Sequence, residues 1–412
     1  MAVTTVGNHC GYSYFCGIIT YCNQTSIFDM DRLVINGSFS VGIKVYRDRN
    51  AIEVILRERN LKFTKQGLDK ALLYNNYFNL FNGLETLLLP NKNIKHYNGE
   101  SLDDFIDMYS FDKNLSSQIF YLIISLEDKL KNSIAHHFSQ KHCCTIDSTM
   151  EYLNPQNYID PTSRPNYPFQ NYQNKSIYNQ FSRFNLFEQG FLTKLVNFND
   201  HIDANFYRDS SYGLTNSARN TSPYYRNYNN QNRSYSDPDY DIAVPFWVSI
   251  ETFDFGTILR LLHYLQDDVL DCVMKDFGIG IRHRAEFLNM LDFIKELRNH
   301  CAHGSLISRF RTPKYMKING NLIRVFNLSP VYHNTSNSST PASVIKLFDV
   351  LKLLSFFVDT KPIYKQLQKI IYRNNKKFRG HYDLNERLLE RMGEKQLAVW
   401  KKYLYKKVNF QF

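Results

Sequence analysis

The residues of this sequence with the clearest chemical potential lie in the segment Glu296–His303, which contains the pattern Arg-Asn-x-x-Ala-His. Arg298 carries a permanent, forked charge that suits a phosphate, and His303 titrates near neutral pH, so it can transfer a proton. On a helix, Asn299 and His303 share a face, whereas Arg298 projects about 140° away and must reach round with its long side chain. The residue types are therefore compatible with chemistry on a phosphate ester.

The same residues also fit a purely structural role. Arg298 continues an apolar stripe that includes Leu291 and Ile294, and none of the residues three or four positions away from it is acidic. An arginine in that place is costly unless it is paired. Its partner is therefore distant in the sequence, or it is a bound ligand such as phosphate. If the partner is a remote carboxylate, Arg298 only bridges helices, and His303 is an ordinary histidine at a helix end.

The elements that position this segment are predicted to be helices. The segment ends a strongly amphipathic helix over residues 284–303. A second long helix follows Ser101, which forms a capping-box pattern with Asp104, and its apolar residues recur at three- and four-residue steps from Leu115 to Ile134. We therefore expect a mainly α protein, with further helical patterns over residues 49–60, 66–89, 257–275, 343–372 and 383–406.

Two regions depart from helical periodicity. Residues 1–48 form an N-terminal extension, in which the β-branched stretch Val34–Val45 indicates a small hairpin or an extended arm. Residues 150–240 are rich in Asn, Tyr, Ser and Pro and carry one helical pattern, at about 176–198, so we expect a long insertion there. The predicted organisation is an extension (1–48), a helical core with this insertion (49–310) and a basic helical C-terminal region (311–412).

The net charge is concentrated at the C-terminus. The chain has 50 Lys and Arg against 39 Asp and Glu, a net charge of +11, and the fourteen basic and four acidic residues from Lys361 onward contribute +10 of it. Such asymmetry is typical either of a surface that binds a polyanion or of a solvated basic tail. For a surface that binds a nucleic acid or another polyanion, the expected binding residues lie on two helical runs: Lys376, Lys377, Arg379, Lys401 and Lys402.

Several classes of protein do not fit the sequence. No stretch has the roughly 18 apolar residues of a membrane span. No Lys or Arg precedes Arg32, which argues against a secretory signal, so we expect a cytoplasmic protein without a membrane partner. Seven cysteines, an odd number, fit reduced thiols. Because the sequence lacks a glycine-rich phosphate loop, a serine nucleophile elbow and zinc-ligand spacing, we expect neither a cofactor nor a metal.

Three separated blocks carry a family resemblance. They are Leu73–Phe81 (Leu-x-Asn-Asn-Tyr-Phe-x-Leu-Phe), Pro245–Gly256 (Pro-Phe-Trp-Val-x-x-Glu-x-x-x-Phe-Gly) and Arg298–His303. In this order they resemble the Abi-like abortive infection proteins of bacteria, of the AbiD/AbiF type, which belong to the HEPN superfamily of helical ribonucleases. The resemblance covers roughly residues 50–310. Aromatic residues of the second block are expected in the core because of their spacing: Trp247, Phe253 and Phe255.

The resemblance implies a HEPN-like helical bundle and a metal-independent endoribonuclease that acts in phage defence or as a toxin–antitoxin effector. It also implies a homodimer that pairs two Arg-x-x-x-x-His motifs, an RNA substrate and, in a toxin–antitoxin system, an inhibitory antitoxin RNA. In that enzyme Arg298 holds the scissile phosphate, His303 transfers a proton and Asn299 orients one or the other. The 2′-hydroxyl attacks, so the protein needs only to move protons and stabilise negative charge. The alternative is a non-catalytic RNA-binding or regulatory protein of the same fold.

Two further features are candidates for supporting roles. Glu251, in the second block, offers a carboxylate for Arg298. Lys131–His136 (Lys-Asn-Ser-Ile-Ala-His) repeats the motif with Lys in place of Arg. It is either a degenerate second motif or a stretch of ordinary helix in which Lys131 pairs with Glu127 or Asp128. We therefore keep Lys131 and His136 outside the main site.

Overall fold

Helices dominate the computed structural model of the chain, as the periodicity predicts. The structure describes residues 33–34, 40–41, 46–91, 93–145, 148–161, 181–187, 191, 244–314, 316–333, 342–378, 383–406 and 410. The helices are α1 Arg49–Glu58, α2 Lys65–Tyr74, α3 Glu85–Leu88, α4 Leu102–His142, α5 Phe246–Ser249, α6 Phe255–Tyr264, α7 Asp267–Asp276, α8 Arg284–Ala302, α9 Gly320–Phe326, α10 Leu347–Phe357, α11 Lys361–Lys377, α12 Leu384–Met392 and α13 Leu397–Trp400.

Short strands form two small antiparallel pairs. Strand β1 (Leu33–Val34) pairs with β2 (Ser40–Val41), so the hairpin predicted in the N-terminal extension is present. Strand β3 (Val331–His333) pairs with β4 (Ala342–Val344), which the periodicity did not indicate. The chain divides into two compact units, Met1–Ile55 and Leu56–Phe412. The basic C-terminal region belongs to the second unit, in which α10 packs on α8 and α11 packs on α4.

The central element of the second unit is α4, a helix of 41 residues that contacts α5, α6, α7, α8 and α11. Its predicted capping box is present, because the Asp104 carboxylate accepts the Ser101 N–H at 2.9 Å. The predicted apolar stripe from Leu115 to Ile134 is buried throughout. The stripe drives the surrounding helices to pack on α4, because burying apolar side chains is the main favourable term in folding.

Several helices are shorter than their sequence patterns. The pattern over 257–275 breaks after Tyr264, because Leu265 and Gln266 have extended backbones, and Asp267 then starts α7. The pattern from residue 343 becomes helical only at Leu347, since residues 342–344 form β4. The helical sequence pattern runs across these breaks because the helices on either side bury apolar residues that have the same spacing along the chain.

Local sequence explains several other helix boundaries. Pro362 lies in the first turn of α11, where a proline is favoured because no backbone N–H is needed there. Gly393 ends α12 with a φ of +127°, a conformation that side chains with a Cβ rarely adopt. The region around 66–89 also divides: α2 ends where Asn75 becomes extended, and the Asn76 side chain then accepts the Phe78 N–H at 2.8 Å.

Only part of the predicted insertion lies among the described residues. Within the helical pattern predicted at 176–198, Phe181–Arg183 and Asn185–Phe187 form single 3₁₀ turns. Phe184 and Leu186 are buried, and the rings of Phe184 and Tyr264 meet edge to face at 5.2 Å. Apart from Phe184 and Phe191, the remainder of that pattern lies outside the described residues, as do residues 208–239. None of the described helices is both long enough and apolar enough to cross a bilayer.

A buried ion pair holds the C-terminal region together. Lys352 Nζ lies 2.7 Å from Asp349 Oδ1 and donates to the Asn327 carbonyl at 2.5 Å. The second carboxylate oxygen of Asp349 accepts the Ser329 N–H at 3.1 Å. Both charged side chains are almost fully buried. Their charges are therefore stabilised chiefly by each other and by these backbone groups.

We expect Asp349→Ala to lower the free energy of unfolding by about 3–5 kcal/mol, because it leaves the Lys352 charge buried without its partner. Urea denaturation monitored by circular dichroism measures this change. The matched control is Asp359→Ala, since Asp359 lies 4.0 Å from Lys361 in an exposed pair and such pairs contribute about 0–1 kcal/mol. Equal losses in the two variants would contradict the assignment.

Candidate active site

The Arg298–His303 segment forms the C-terminal end of α8, which here runs antiparallel to α4. Just after α8 ends, Lys113 Nζ on α4 donates to the Gly304 carbonyl. Two turns back along α8, Arg298 lies over the ring of Phe120, further along α4. Residues earlier in α8 therefore contact residues later in α4. This register decides which α4 side chains surround the motif.

Arg298 is half-buried and incompletely paired. Its guanidinium carbon lies 5.5 Å from the centre of the Phe120 ring. Its Nε is buried and has no hydrogen-bond partner among the described residues. Within the same part of the chain, no carboxylate lies within 4.0 Å of it. A buried donor without a partner is unfavourable, so Arg298 has capacity to bind an anion.

Glu127 is a carboxylate whose charge interacts with that of Arg298. Burial raises the pKa of Glu127, and the positive charges of Lys131 and then Arg298 oppose that rise. Lys131 is the closer of the two, with its Nζ 3.6 Å from Glu127 Oε1. Sequence reasoning missed the link between Glu127 and Arg298, because Glu127 was visible only as the i−4 neighbour of Lys131. The charge of Glu127 therefore acts on Arg298, but the two side chains do not form a direct ion pair.

Glu251, the carboxylate suggested from the sequence, has a different place. Its side chain is exposed, and its backbone carbonyl accepts a hydrogen bond from Lys131 Nζ at 3.1 Å. The remote carboxylate whose charge acts on Arg298 is therefore Glu127 and not Glu251. The physical reason is the packing of α5 on α4, which brings the backbone around residue 251, and not its carboxylate, to Lys131.

The second motif, Lys131–His136, does not lie beside the first motif within a single copy of the protein. Lys131 is buried and pairs with Glu127, as an ordinary helical ion pair would, although the pair is not on the surface. His136 is exposed and lies roughly 34 Å along the α4 axis from Lys113. His303, in contrast, is adjacent to the Gly304 carbonyl that Lys113 contacts. The two histidines therefore lie far apart.

His303 and Asn299 present side chains that are free to act. His303 caps α8, and its N–H donates to the Asn299 carbonyl at 3.0 Å. Its ring is exposed and Asn299 is half-buried, and neither side chain makes a hydrogen bond within the described chain. His300 differs, because its Nε2 lies 3.0 Å from the Leu306 carbonyl oxygen and its ring packs edge-on against Phe310. Of the two histidines in the motif, His303 is the one available for chemistry.

Asp112 orders the chain that follows His303. Its two carboxylate oxygens accept the N–H groups of Ile307 at 2.7 Å and Ser308 at 2.9 Å. Asp112 is almost fully buried, so burial raises its pKa, although the hydrogen bonds from Ser308 and Ile307 oppose this effect. Gly304, with a φ of +65°, lets the chain turn sharply out of α8. Asp112 thereby fixes the exit from the helix that carries His303.

We expect Asp112→Ala to lower the free energy of unfolding by about 1–3 kcal/mol for each buried N–H that loses its acceptor. Hydrogen exchange should then show faster exchange at the Ile307 and Ser308 amides. Asp128→Ala is the control, because Asp128 lies on the same helix with an exposed side chain. Protection of the two amides that is unchanged in Asp112→Ala would show that the carboxylate does not hold this segment.

Other titratable groups in the described chain form no metal centre, since no three His, Cys, Asp or Glu side chains there are placed to share an ion. Burial raises the pKa of Cys143 to about 12 and that of Cys301 to about 11. Both are therefore protonated thiols at neutral pH and poor nucleophiles. Cys144 and Cys272 are exposed free thiols.

The predicted RNA-binding residues of α11 do not all have free charges. Lys377 forms an ion pair with the buried carboxylate of Asp104, and Arg373 forms ion pairs with Asp104 and Asp107. Lys376 is exposed, whereas Arg379 lies outside the described residues. Lys377 is thus engaged in attaching α11 to the start of α4. The sequence could not reveal this, because the partners are far apart along the chain.

Lys401 and Lys402 lie near the end of α11 opposite to Lys376, and two exposed lysines of α11, Lys365 and Lys369, lie between them. Lys401 and Lys402 are exposed in the turn after α13. This turn lies against the start of α11, where Thr360 Oγ1 donates to the Leu404 carbonyl at 3.0 Å. Lys376 lies at the opposite end of α11, roughly 24 Å along the helix axis from Thr360. Lys401 and Lys402 are therefore separated from Lys376.

One aromatic residue of the second block is not in the core. Phe253 and Phe255 are buried as predicted, but Trp247 is 55% exposed, so the expectation for Trp247 was wrong. Its neighbour Phe246 is fully buried instead, with its ring 5.0 Å from that of Tyr152. Adjacent residues of a helix point in different directions. In α5, Phe246 is the one that is buried where this helix packs against α4.

Comparison with known proteins agrees with this part of the structure. The family described as Abi-like protein matches residues 70–307, more than half of the chain. The matched region begins before the block at Leu73 and includes α4, α8 and the whole Arg298–His303 segment. No curated protein and no solved structure matches. The chain therefore belongs to the Abi-like protein family, which points to a role in abortive infection, a bacterial defence against phage.

Proposed function

We propose that this Abi-like protein is a metal-independent endoribonuclease of the HEPN type that acts on RNA in the cytoplasm during phage defence or as a toxin–antitoxin effector. The observation that carries the proposal is the state of Arg298. Its guanidinium is half-buried, its Nε has no partner and no carboxylate lies within 4.0 Å of it in the described chain. A free histidine, His303, follows five residues later. These two groups can supply the charge stabilisation and the proton transfer that metal-independent RNA cleavage needs.

In this mechanism the 2′-hydroxyl of the RNA attacks the adjacent phosphate and the 5′-oxygen of the next nucleotide leaves. Negative charge develops on the phosphate oxygens, and Arg298 stabilises it with a charge that needs no proton transfer. His303 transfers the proton at one of the two oxygens, either removing it from the 2′-hydroxyl or giving one to the leaving 5′-oxygen, and water exchanges the proton at the other. Asn299 orients the phosphate or the histidine. An arginine already saturated by a carboxylate would first have to break that ion pair. Arg298 does not, because Glu127 is shared with Lys131.

The proposal includes a homodimer. Beside Phe120, over which Arg298 lies, α4 exposes two large apolar side chains, Tyr121 at 66% and Ile124 at 37%. They share a face of the helix with each other, since they are three residues apart. A second copy that covers this face would bring its own motif close to the first. Sedimentation of the purified chain tests this part of the proposal, and a monomer at assay concentrations would remove it.

The test of the enzymatic proposal is incubation of the purified protein with total RNA, in parallel with the Arg298→Ala, His303→Ala double variant. We expect cleavage by the wild type to continue in EDTA and to leave 2′,3′-cyclic phosphate ends, because the 2′-hydroxyl is the nucleophile. A requirement for Mg²⁺ with 5′-phosphate products would indicate a metal-dependent nuclease instead. RNA binding without cleavage by either protein would favour the non-catalytic alternative, in which these residues only contact phosphate.

A further inference from the structure

A second feature of the molecule is a basic pocket on the side of α3 and α12. It has a volume of about 280 Å³ and is open to solvent. The charged residues that line this basic pocket are Arg311, Lys346, Arg387, Glu390 and Arg391. The volume lies just below the range of about 300–1,000 Å³ that encloses drug-sized ligands. It therefore suits a compact charged group better than a whole nucleoside.

Two of these arginines make hydrogen bonds within the fold. Arg391 donates to the Gly83 carbonyl at 3.0 Å and to Thr86 Oγ1. Arg387 is buried, and its Nη1 donates to the carbonyls of Leu89 at 2.6 Å and Leu87 at 3.3 Å. Its Nη2 donates to the Pro90 carbonyl at 3.3 Å, and its Nε to Asp383 Oδ1 at 2.5 Å. These bonds satisfy the carbonyls that follow α3. Arg387 is therefore committed to the fold, and it lines the pocket.

Arg311 and Lys346 are placed opposite each other. They are partners in an antiparallel β-bridge, so their side chains leave the backbone on the same side. Like charges in directly opposed positions are destabilising. Lys346 Nζ donates to the Glu390 carbonyl at 3.0 Å, whereas Arg311 is exposed and its side chain has no partner within the described chain. Arg311 therefore offers a complete guanidinium fork.

The charges around the pocket are not balanced. Burial, followed by the positive charges of Arg309 and Arg311, lowers the pKa of Arg391 to about 10, although Asp112 opposes this effect. Burial and the charge of Arg311 likewise lower the pKa of Lys346, although Glu390 opposes this. Among the lining residues, Arg311, Lys346, Arg387 and Arg391 carry four positive charges against one carboxylate, Glu390, a local net charge of +3. Asp383, which pairs with Arg387, lies outside this lining.

We infer that the basic pocket binds a polyphosphate group, such as the di- or triphosphate of a nucleotide or of an RNA 5′ end. A terminal phosphate carries about −1.5 to −2 at neutral pH and each bridging phosphate about −1, so a diphosphate or triphosphate, at about −3 to −4, approximately matches a local charge of +3. Arginine forks bind phosphate oxygens with paired, charge-assisted hydrogen bonds. The open side of the pocket leaves room for the rest of the ligand. This inference does not depend on RNA cleavage.

The first test uses inorganic tripolyphosphate and the full-length chain in isothermal titration calorimetry. We expect one saturable site in the wild type and at least about tenfold weaker binding in Arg311→Ala and in Lys346→Ala. Lys395→Ala is the control, because Lys395 is exposed and lies 3.8 Å from Glu386 outside the pocket lining. Without ligand, Arg311→Ala should melt at the same or a higher temperature, since it relieves repulsion. No saturable binding, or equal binding by Arg311→Ala and Lys395→Ala, would overturn the inference.

The second test distinguishes the source of the polyphosphate. ATP, a short 5′-triphosphate RNA and the same RNA with a 5′-hydroxyl are each titrated into the Arg298→Ala, His303→Ala double variant, so that cleavage cannot consume the RNA. Tightest binding of the 5′-triphosphate RNA supports an RNA end, and equal binding of ATP supports a free nucleotide. Binding of the 5′-hydroxyl RNA as tight as that of the triphosphate RNA, with the same dependence on Arg311, would assign the pocket to backbone phosphates and contradict a polyphosphate site.

Discussion

Replacing His303 with alanine is expected to slow RNA cleavage by about 10²–10⁴-fold, the usual loss when a positioned proton donor or acceptor is removed. The fold should be almost unaffected, because the His303 ring is exposed and makes no hydrogen bond within the described chain. We expect the free energy of unfolding to change by less than about 0.5 kcal/mol. Cleavage of a labelled RNA under single-turnover conditions, together with urea denaturation, measures both quantities.

The control for His303→Ala is His96→Ala, which removes another exposed histidine. Its rate should equal that of the wild type. His136→Ala should also keep its rate, since His136 lies far from His303 in the same chain. If His303→Ala cleaves as fast as the wild type, the site lies elsewhere. A large loss in His136→Ala would instead restore the Lys131–His136 segment as a second catalytic motif.

Replacing Arg298 with alanine is expected to reduce the cleavage rate by about 10²–10³-fold without destabilising the protein. The loss of rate follows from removal of a preorganised charge at the phosphate, as for other groups that stabilise an oxyanion. Stability should change by less than about 1 kcal/mol, because the buried Nε has no hydrogen bond to lose. A purely structural arginine would show the opposite pattern, with lower stability and an unchanged rate.

Two matched variants sharpen this prediction. Arg298→Lys keeps the charge but loses the fork that binds two phosphate oxygens, so most of the rate loss should remain. Arg284→Ala, on the same helix, removes two hydrogen bonds of 2.6 Å to Asp271. It should lower the free energy of unfolding by about 1 kcal/mol and leave cleavage unchanged. Equal rates for Arg298→Ala and Arg284→Ala would refute a role of Arg298 in chemistry.

The sequence by itself determined the elements that carry the candidate site. The capping box at Ser101 predicted the start of α4, and the apolar stripe from Leu115 to Ile134 predicted its buried face, although α4 continues to His142. The amphipathic pattern over 284–303 predicted both ends of α8. It also placed Arg298 and His303 at the C-terminal end of α8. These features are readable because helical periodicity and capping depend on residues only three or four positions apart.

Only the tertiary structure decided what these residues touch. It placed Arg298 over Phe120 and near Glu127, attached Lys377 to Asp104 and opposed Arg311 to Lys346, all pairs far apart in the sequence. Such contacts depend on the register of one helix against another and on which side chains fill the space between them. Periodicity shows which face of a helix is buried, but not its neighbour. The charge of a lysine or arginine is therefore visible in the sequence, whereas its availability to a ligand is set by packing.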